Sequence, residues 1–415
     1  MSVADTSAGS PSLPRIRTGT FVDRLQLRLL WLLGFSGGFV MIEPAPYELI
    51  ALLAMVAFVA TGLTVRPAHL PLFFGLLLVD IGIAIGALPV LGEEGILVWT
   101  FVSYFLSLTT LLVACVMAED SERRFDALMA GWIWSAVAVG LIGILAYFHA
   151  IPSADSFLLY GRAKSTFKDP NVFGPFLVMP GVVVLARLTF EGRLRQIGAT
   201  LVLIVLAGGL FLSFSRGAWA HFAFSVALFM VLSYLTRPTT GERMRVVVFT
   251  LLACCAVALV VAALLSVPQI DRLFEERAEL LQSYDSGRFG RFGRHILGAL
   301  LMLDNPLGIG PLQFSKYFPE DPHNSFLAAF AAGGWLAGTA FAAVVFTTLA
   351  VGLAAVFVPS PVQSRLIMTY ATFVGVVGES YIIDVLHWRH YFLLVGMVWG
   401  LSIASRSRRR RPQGP

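Results

Sequence analysis

Charge is scarce in this chain: Asp, Glu, Lys and Arg make up 13% of its 415 residues, whereas 57% are hydrophobic. A water-soluble protein of this length needs a far more charged surface, so the composition points to a polytopic membrane protein. Cysteine is scarcer still. Cys115, Cys254 and Cys255 all fall inside apolar stretches, which argues against a disulfide framework or a thiolate metal site. Signatures of nucleotide and metal chemistry are also missing. There is no G-x-x-x-x-G-K-[ST] to couple the chain to ATP, and no D-x-D, H-E-x-x-H or C-x-x-C to call for a metal.

Long apolar runs are abundant. Crossing a bilayer takes about 20 apolar residues in a helix, and the runs are continuous rather than alternating, so they read as helices and not as barrel strands. Twelve spans are expected, near 25–42, 47–65, 70–90, 95–117, 127–149, 172–190, 197–213, 217–235, 246–267, 325–357, 366–384 and 390–404. The N-terminal stretch has no apolar core before Leu25, so an uncleaved first span is expected rather than a signal peptide. The resulting organisation is a cytoplasmic tail (1–24), helices one to nine (25–267), a periplasmic loop (268–324), helices ten to twelve (325–404) and a basic cytoplasmic tail (405–415).

With both ends inside, nineteen of the 30 Lys and Arg residues fall on the cytoplasmic side, as the positive-inside rule requires. The C-terminal "RSRRRR" fits the same rule as an anchor on anionic lipid, not a nucleic-acid site. The outer exceptions are Arg162, Lys164, Lys168, Arg216, Arg389 and six residues of the long loop, Arg272, Arg277, Arg288, Arg291, Arg294 and Lys316. Long loops translocate regardless of charge, but Arg216 lies in a hairpin of a few residues between two spans. An Arg at a membrane edge is costly unless it meets an anion, so it is a candidate for function.

Three stretches share that outer face: "GRAKSTFKDPNVFG" (161–174), "FSRGAW" (214–219) and the segment from "GRFGRFGR" (287–294) through "NPLGIG" (305–310) to "DPHNSF" (321–326). Each pairs basic residues with turn formers, and together they would make one electropositive, hydrogen-bonding cavity. The planar fork of Arg suits phosphate oxygens, so Arg216 and Arg291, from different loops, could clamp a pyrophosphate. Equally, Arg288, Arg291 and Arg294 at i, i+3 and i+6 could be the wet face of an interfacial helix.

His323 has an ordinary pKa of about 6.5 and could take a proton from a sugar hydroxyl. The same "DPHNS" reads as a helix cap, with Asp321 or Asn324 capping while His323 points into the cavity. Asn171, after Pro170, could cap span six. Asp80 and Glu379 within spans read as pairs or relays, and His387 and His390 beside Trp388 as aromatic-belt residues.

At these residues the chain resembles the O-antigen ligase and polymerase-like family of bacterial envelope glycosyltransferases, which includes exopolysaccharide polymerases. The resemblance rests on "RAKSTFKDPNVF" (162–173, with Asp169 where Asn is commoner), Ser215 and Arg216, and the run from Arg291 through "NPLGIG" to His323 and Asn324. It covers about residues 160–340 and extends loosely to the whole chain through the helix count.

The resemblance implies an all-α, C-type glycosyltransferase fold in the bacterial inner membrane, working without metal or cofactor at the periplasmic face. The implied donor is an undecaprenyl pyrophosphate-linked oligosaccharide, and the acceptor a glycan (polymerase) or lipid A core (ligase). Arg216 and Arg291 would hold the pyrophosphate, with Arg288 and Arg294 as rivals for the loop position. His323 would be the catalytic base, supported by Arg162, Lys164, Asn171, Asn324 and Asp321. A twelve-helix transporter or flippase of a polysaccharide precursor is the alternative, kept open by Asp80 and Glu379.

Overall fold

The computed structural model describes residues 20–190, 193–268, 272, 274 and 290–409. Arg288, both terminal tails beyond those limits and most of 269–289 lie outside them. The helices in order are α1 (Phe21–Ser36), α2 (Pro46–Ala60), α3 (Leu70–Ala87), α4 (Ile96–Met117), α5 (Ser121–Tyr147), α6 (Pro170–Phe176), α7 (Val178–Phe190), α8 (Arg193–Leu212), α9 (Arg216–Thr236), α10 (Thr240–Leu265), α11 (Arg291–Asp304), α12 (Ser325–Val356), α13 (Gln363–Glu379) and α14 (Arg389–Arg409). A two-residue antiparallel pair, β1 (Leu158–Leu159) and β2 (Arg162–Ala163), precedes α6.

A helix is found at each of the twelve expected stretches, the sixth being divided into α6 and α7. Proline explains the division. Pro180 has no N–H to give to the Phe176 carbonyl one turn earlier. The buried Trp132 indole supplies that donor instead, at 3.1 Å. Among the described residues, seven helical segments are long and apolar enough to cross a membrane: Pro67–Val90, Ile96–Met117, Ser121–Tyr147, Pro170–Phe190, Arg216–Thr236, Thr240–Leu265 and Ser325–Val356. The protein is thus a multi-pass, all-α membrane protein.

Polar contacts gather into two girdles at opposite helix ends. One joins Arg123 to Asp23 (2.8 Å), Arg66 to Glu119 (3.6 Å), Arg365 to Asp126 (2.8 Å) and Arg237 to Ser364 (3.1 Å). The other joins Lys168 to Glu43 (2.8 Å), Arg389 to Glu48 (2.7 Å from Nε) and Lys316 to Glu93 (2.6 Å). Between them the helices are mostly apolar, as a bilayer requires. Small residues bring α3 and α12 together: a Cβ at Gly82 would sit 2.5 Å from the Ala337 nitrogen, and one at Gly86 would strike the Ala332 carbonyl.

The continuity of α12 is broken at Gly333 and Gly334, and "NPLGIG" fits the break. In an unbroken helix the Trp335 amide would donate to the Ala331 carbonyl. Here Trp335 N donates to the Pro306 carbonyl (2.9 Å), and Ala331 O accepts the Ile309 and Gly310 amides (2.9 and 3.1 Å). Gly334 has φ 66° and ψ −159°, which glycine alone adopts readily, and a Cβ there would collide with the Pro306 carbonyl. Met302, Phe314, Leu327 and Ala331 form a small buried cluster that seals the turn against α12. Full burial of a Met or Phe side chain is worth about 1.5–3 kcal/mol, enough to hold the segment in place.

Candidate active site

Arg216 begins α9, and the turn before it is held from two sides. Ser215 caps the helix by accepting the Ala218 amide (3.4 Å). Arg162, buried on β2, donates from Nε to the Ser213 carbonyl and from Nη2 to Asn171 Oδ1, both at 2.9 Å. Arg162 and Asn171 therefore brace the turn that presents Arg216. Asn171 does not cap the sixth span: Asp169, extended at φ −142° and ψ 140°, accepts the Asn171 amide at 2.6 Å. Proline at the first helical position places the cap on the residue before it, which is Asp169. Lys164 lies half-buried in the same loop.

Next to Arg216, Gly217 faces the end of α13, where a Cβ would lie 2.8 Å from Glu379 Oε1. Glu379 is buried against His221 of α9, Nδ1 to Oε2 being 2.9 Å, and His221 Nε2 lies 3.0 Å from the Thr372 carbonyl. The intramembrane carboxylate thus has its partner, a histidine that sequence reasoning passed over. Asp80, by contrast, accepts from Ser107 Oγ at 3.0 Å.

Just after Glu379 the chain packs against the N-terminus of α12. Ser325 N donates to the Ser380 carbonyl (2.9 Å), and Asn324 Nδ2 to the Tyr381 carbonyl (3.1 Å). Asn324 also caps α12, its Oδ1 accepting the Leu327 amide at 3.0 Å. The cap is therefore Asn324; Asp321 is exposed and does not serve. His323 has a φ of 46°, a left-handed conformation uncommon in a non-glycine residue. Such conformations concentrate at functional sites, where surrounding structure holds them.

α11 lies against the segment leading to His323. His295 Nε2 donates to the Pro322 carbonyl at 2.7 Å, and Arg294 pairs with Glu320 at 2.7 Å. Burial holds the His323 imidazole below its ordinary 6.5; Arg291 and Arg294 push the same way, while Glu320 and Asp321 oppose them. Asp384, beside Asp321 in the loop after α13, was not singled out from the sequence. Burial pushes it up to about 6, although the Leu386 amide donates to it at 2.9 Å; the Asp321 charge adds to the rise.

The wet-face reading of α11 is overturned. Arg294 is 2% exposed, whereas Phe292, Ile296, Leu300 and Leu303 are 48%, 66%, 54% and 60% exposed. The basic side faces the protein and the apolar side faces out, the reverse of a helix lying in water. The belt reading of His390 and Trp388 also fails. Both are buried, with ring centroids 5.1 Å apart, and a belt residue must reach the lipid interface. His387 packs edge-on against Trp99 and lies 2.9 Å from Ser103 Oγ, and burial pushes its imidazole down to about 4.

A neutral imidazole can accept a proton, and guanidinium groups beside it can stabilise a leaving anion. No curated protein matches the chain. The family model described as O-Antigen ligase matches residues 201–342, from within α8 to within α12. That span carries Ser215, Arg216, Arg291, Arg294, "NPLGIG", His323 and Asn324, and leaves out the 161–174 stretch. Across this region, about a third of the chain, the protein is similar to the O-antigen ligase family.

Proposed function

We propose that the protein transfers a glycan from a lipid pyrophosphate-linked donor to a glycan or lipid acceptor at the outer face of the bacterial inner membrane. Twelve crossings in a C-type glycosyltransferase arrangement underlie this reading, with both termini cytoplasmic. The girdle containing Arg66, Arg123, Arg237 and Arg365 is then cytoplasmic and the one containing Lys168, Arg389 and Lys316 periplasmic. The outward apolar side of α11 suits hydrocarbon at the outer membrane edge.

One observation carries the proposal. His323, held in a left-handed conformation, shares its surroundings with Arg291 and Arg294 and is joined through residues 379–381 to the helix start bearing Arg216. In the transfer, the acceptor hydroxyl oxygen attacks the donor's anomeric carbon and His323 takes its proton. The bond from that carbon to the pyrophosphate oxygen breaks, and Arg216 and Arg291 stabilise the departing charge. Arg162 and Asn171 position Arg216, and Asn324 positions His323. In this reading guanidinium groups take the charge that a divalent cation takes elsewhere, and turnover in a chelator tests that assignment. Of the two carboxylates that keep the transporter reading open, Glu379 is engaged by His221 and Asp80 accepts from Ser107.

The test uses purified protein in detergent with an undecaprenyl pyrophosphate-linked oligosaccharide and candidate acceptors, following lipid release and glycan length. Release by wild type and its loss in folded His323→Ala and Arg216→Ala is expected, with product size separating polymerase from ligase. Normal surface polysaccharide in cells carrying only His323→Ala would overturn the proposal.

A further inference from the structure

Arg294 and Arg162 are both buried cations, yet they are satisfied differently. Arg162 spends Nε and Nη2 on the Ser213 carbonyl and Asn171. Arg294 reaches one group, Glu320 Oε2, from Nη2 at 2.7 Å, and its buried Nε and Nη1 have no partner. A guanidinium carries five N–H donors in a fixed fork, and buried donors are normally paired. Its carboxylate is also a poor permanent companion: the Glu320 side chain is 56% exposed, on a loop, and meets Arg294 through one oxygen. The unpaired nitrogens suit an anion with more oxygens than a carboxylate offers.

We propose that Arg294 is a third pyrophosphate-binding guanidinium, beside Arg216 and Arg291, and that Glu320 is a stand-in anion, displaced from it when the donor arrives. The inference rests on the reading of this site as one for a pyrophosphate-linked donor. A plain structural ion pair is the alternative, and it leaves two buried nitrogens of Arg294 without purpose. Displacement also has a local consequence. Glu320 lies three residues before His323, so moving it off Arg294 repositions the segment that leads into the base. Donor binding and the setting of His323 would then be one event.

The test measures binding of inorganic pyrophosphate and of undecaprenyl pyrophosphate to the full chain in detergent, for wild type, Glu320→Gln, Arg294→Gln and the double variant. Removing the competing charge in Glu320→Gln should tighten both ligands by about tenfold. Arg294→Gln should weaken them, and adding Glu320→Gln to it should give no gain. An unchanged or weaker affinity in Glu320→Gln, with wild type binding normally, overturns the stand-in role while leaving the transferase intact. If wild type binds neither ligand, the transferase reading falls with it. Glu320 is exposed, so its variant carries the test even where Arg294→Gln fails to fold; Arg294→Lys, checked by thermal unfolding, then replaces it.

Discussion

Asn324 and Tyr381 are joined by a hydrogen bond of 3.1 Å, from the Asn324 side-chain amide to the Tyr381 carbonyl, while the oxygen of the same side chain caps α12. One residue therefore ties the neighbour of His323 to both α12 and the loop after α13. Loss of an N-cap costs about 1 kcal/mol. Asn324→Ala should lower the thermal midpoint and reduce turnover, and Asn324→Asp should recover the cap but not the Tyr381 contact. Equal behaviour of the two variants in thermal unfolding would contradict the double role.

The His323 imidazole is held below 6.5, first by burial and then by Arg291, so it is neutral and able to act as base throughout the neutral range. The acid limb of kcat/KM should lie below pH 6.5. Arg291→Gln removes a repelling cation, which raises the pKa and moves the limb to higher pH, whatever its effect on the maximum rate. His323→Ala should cost roughly 10²- to 10⁴-fold in kcat. The linkage has the same sign: a folded pKa below the unfolded one gives stability that is complete above about pH 6.5 and is lost as pH falls through the folded value.

The buried His221–Glu379 pair fastens the start of α9 to the end of α13. Removing one member of a buried pair costs about 3–5 kcal/mol because the other is stranded. His221→Ala should be strongly destabilised in detergent. Glu379→Gln, which keeps a hydrogen-bonding group, should be milder. A thermal midpoint for His221→Ala equal to wild type would show that the pair holds nothing.

Gly334 tests the broken helix. Alanine at φ 66° and ψ −159° costs about 1–3 kcal/mol in backbone strain alone, before its Cβ meets Pro306. Gly334→Ala should lose thermal stability and turnover together. Gly378→Ala, where a Cβ meets nothing within 4 Å, is the control and should match wild type.

The helical stretches were legible because each is a continuous apolar run, and the Asn324 cap was legible because capping is a local matter of three residues. The orientation of α11 was not. Periodicity shows that Arg291 and Arg294 share a side, but at a membrane edge the apolar side can face outward, so the pattern alone does not say which side is in. His221 and Asp384 escaped notice for another reason. The charged groups that face them lie far away in sequence, Glu379 being 158 positions from His221 and Asp321 lying on another loop from Asp384, and no local spacing announces such contacts. Asn171 was misassigned as the cap, which lies two residues earlier at Asp169, as Pro170 at the first helical position dictates.

The exchange between "NPLGIG" and the break in α12 has a further consequence for how this region assembles. With the turn withdrawn, Trp335 N–H and Ala331 C=O lose their partners; with α12 continuous, the amides of Ile309 and Gly310 and the carbonyl of Pro306 lose theirs. A buried group left unpaired, such as the carbonyl of Ala331 or the amide of Gly310, costs about 1–3 kcal/mol, so halfway arrangements are the least favourable. Docking of the loop is therefore all-or-none. The arginines of α11 come into register with His323 through a latch that is either shut or open.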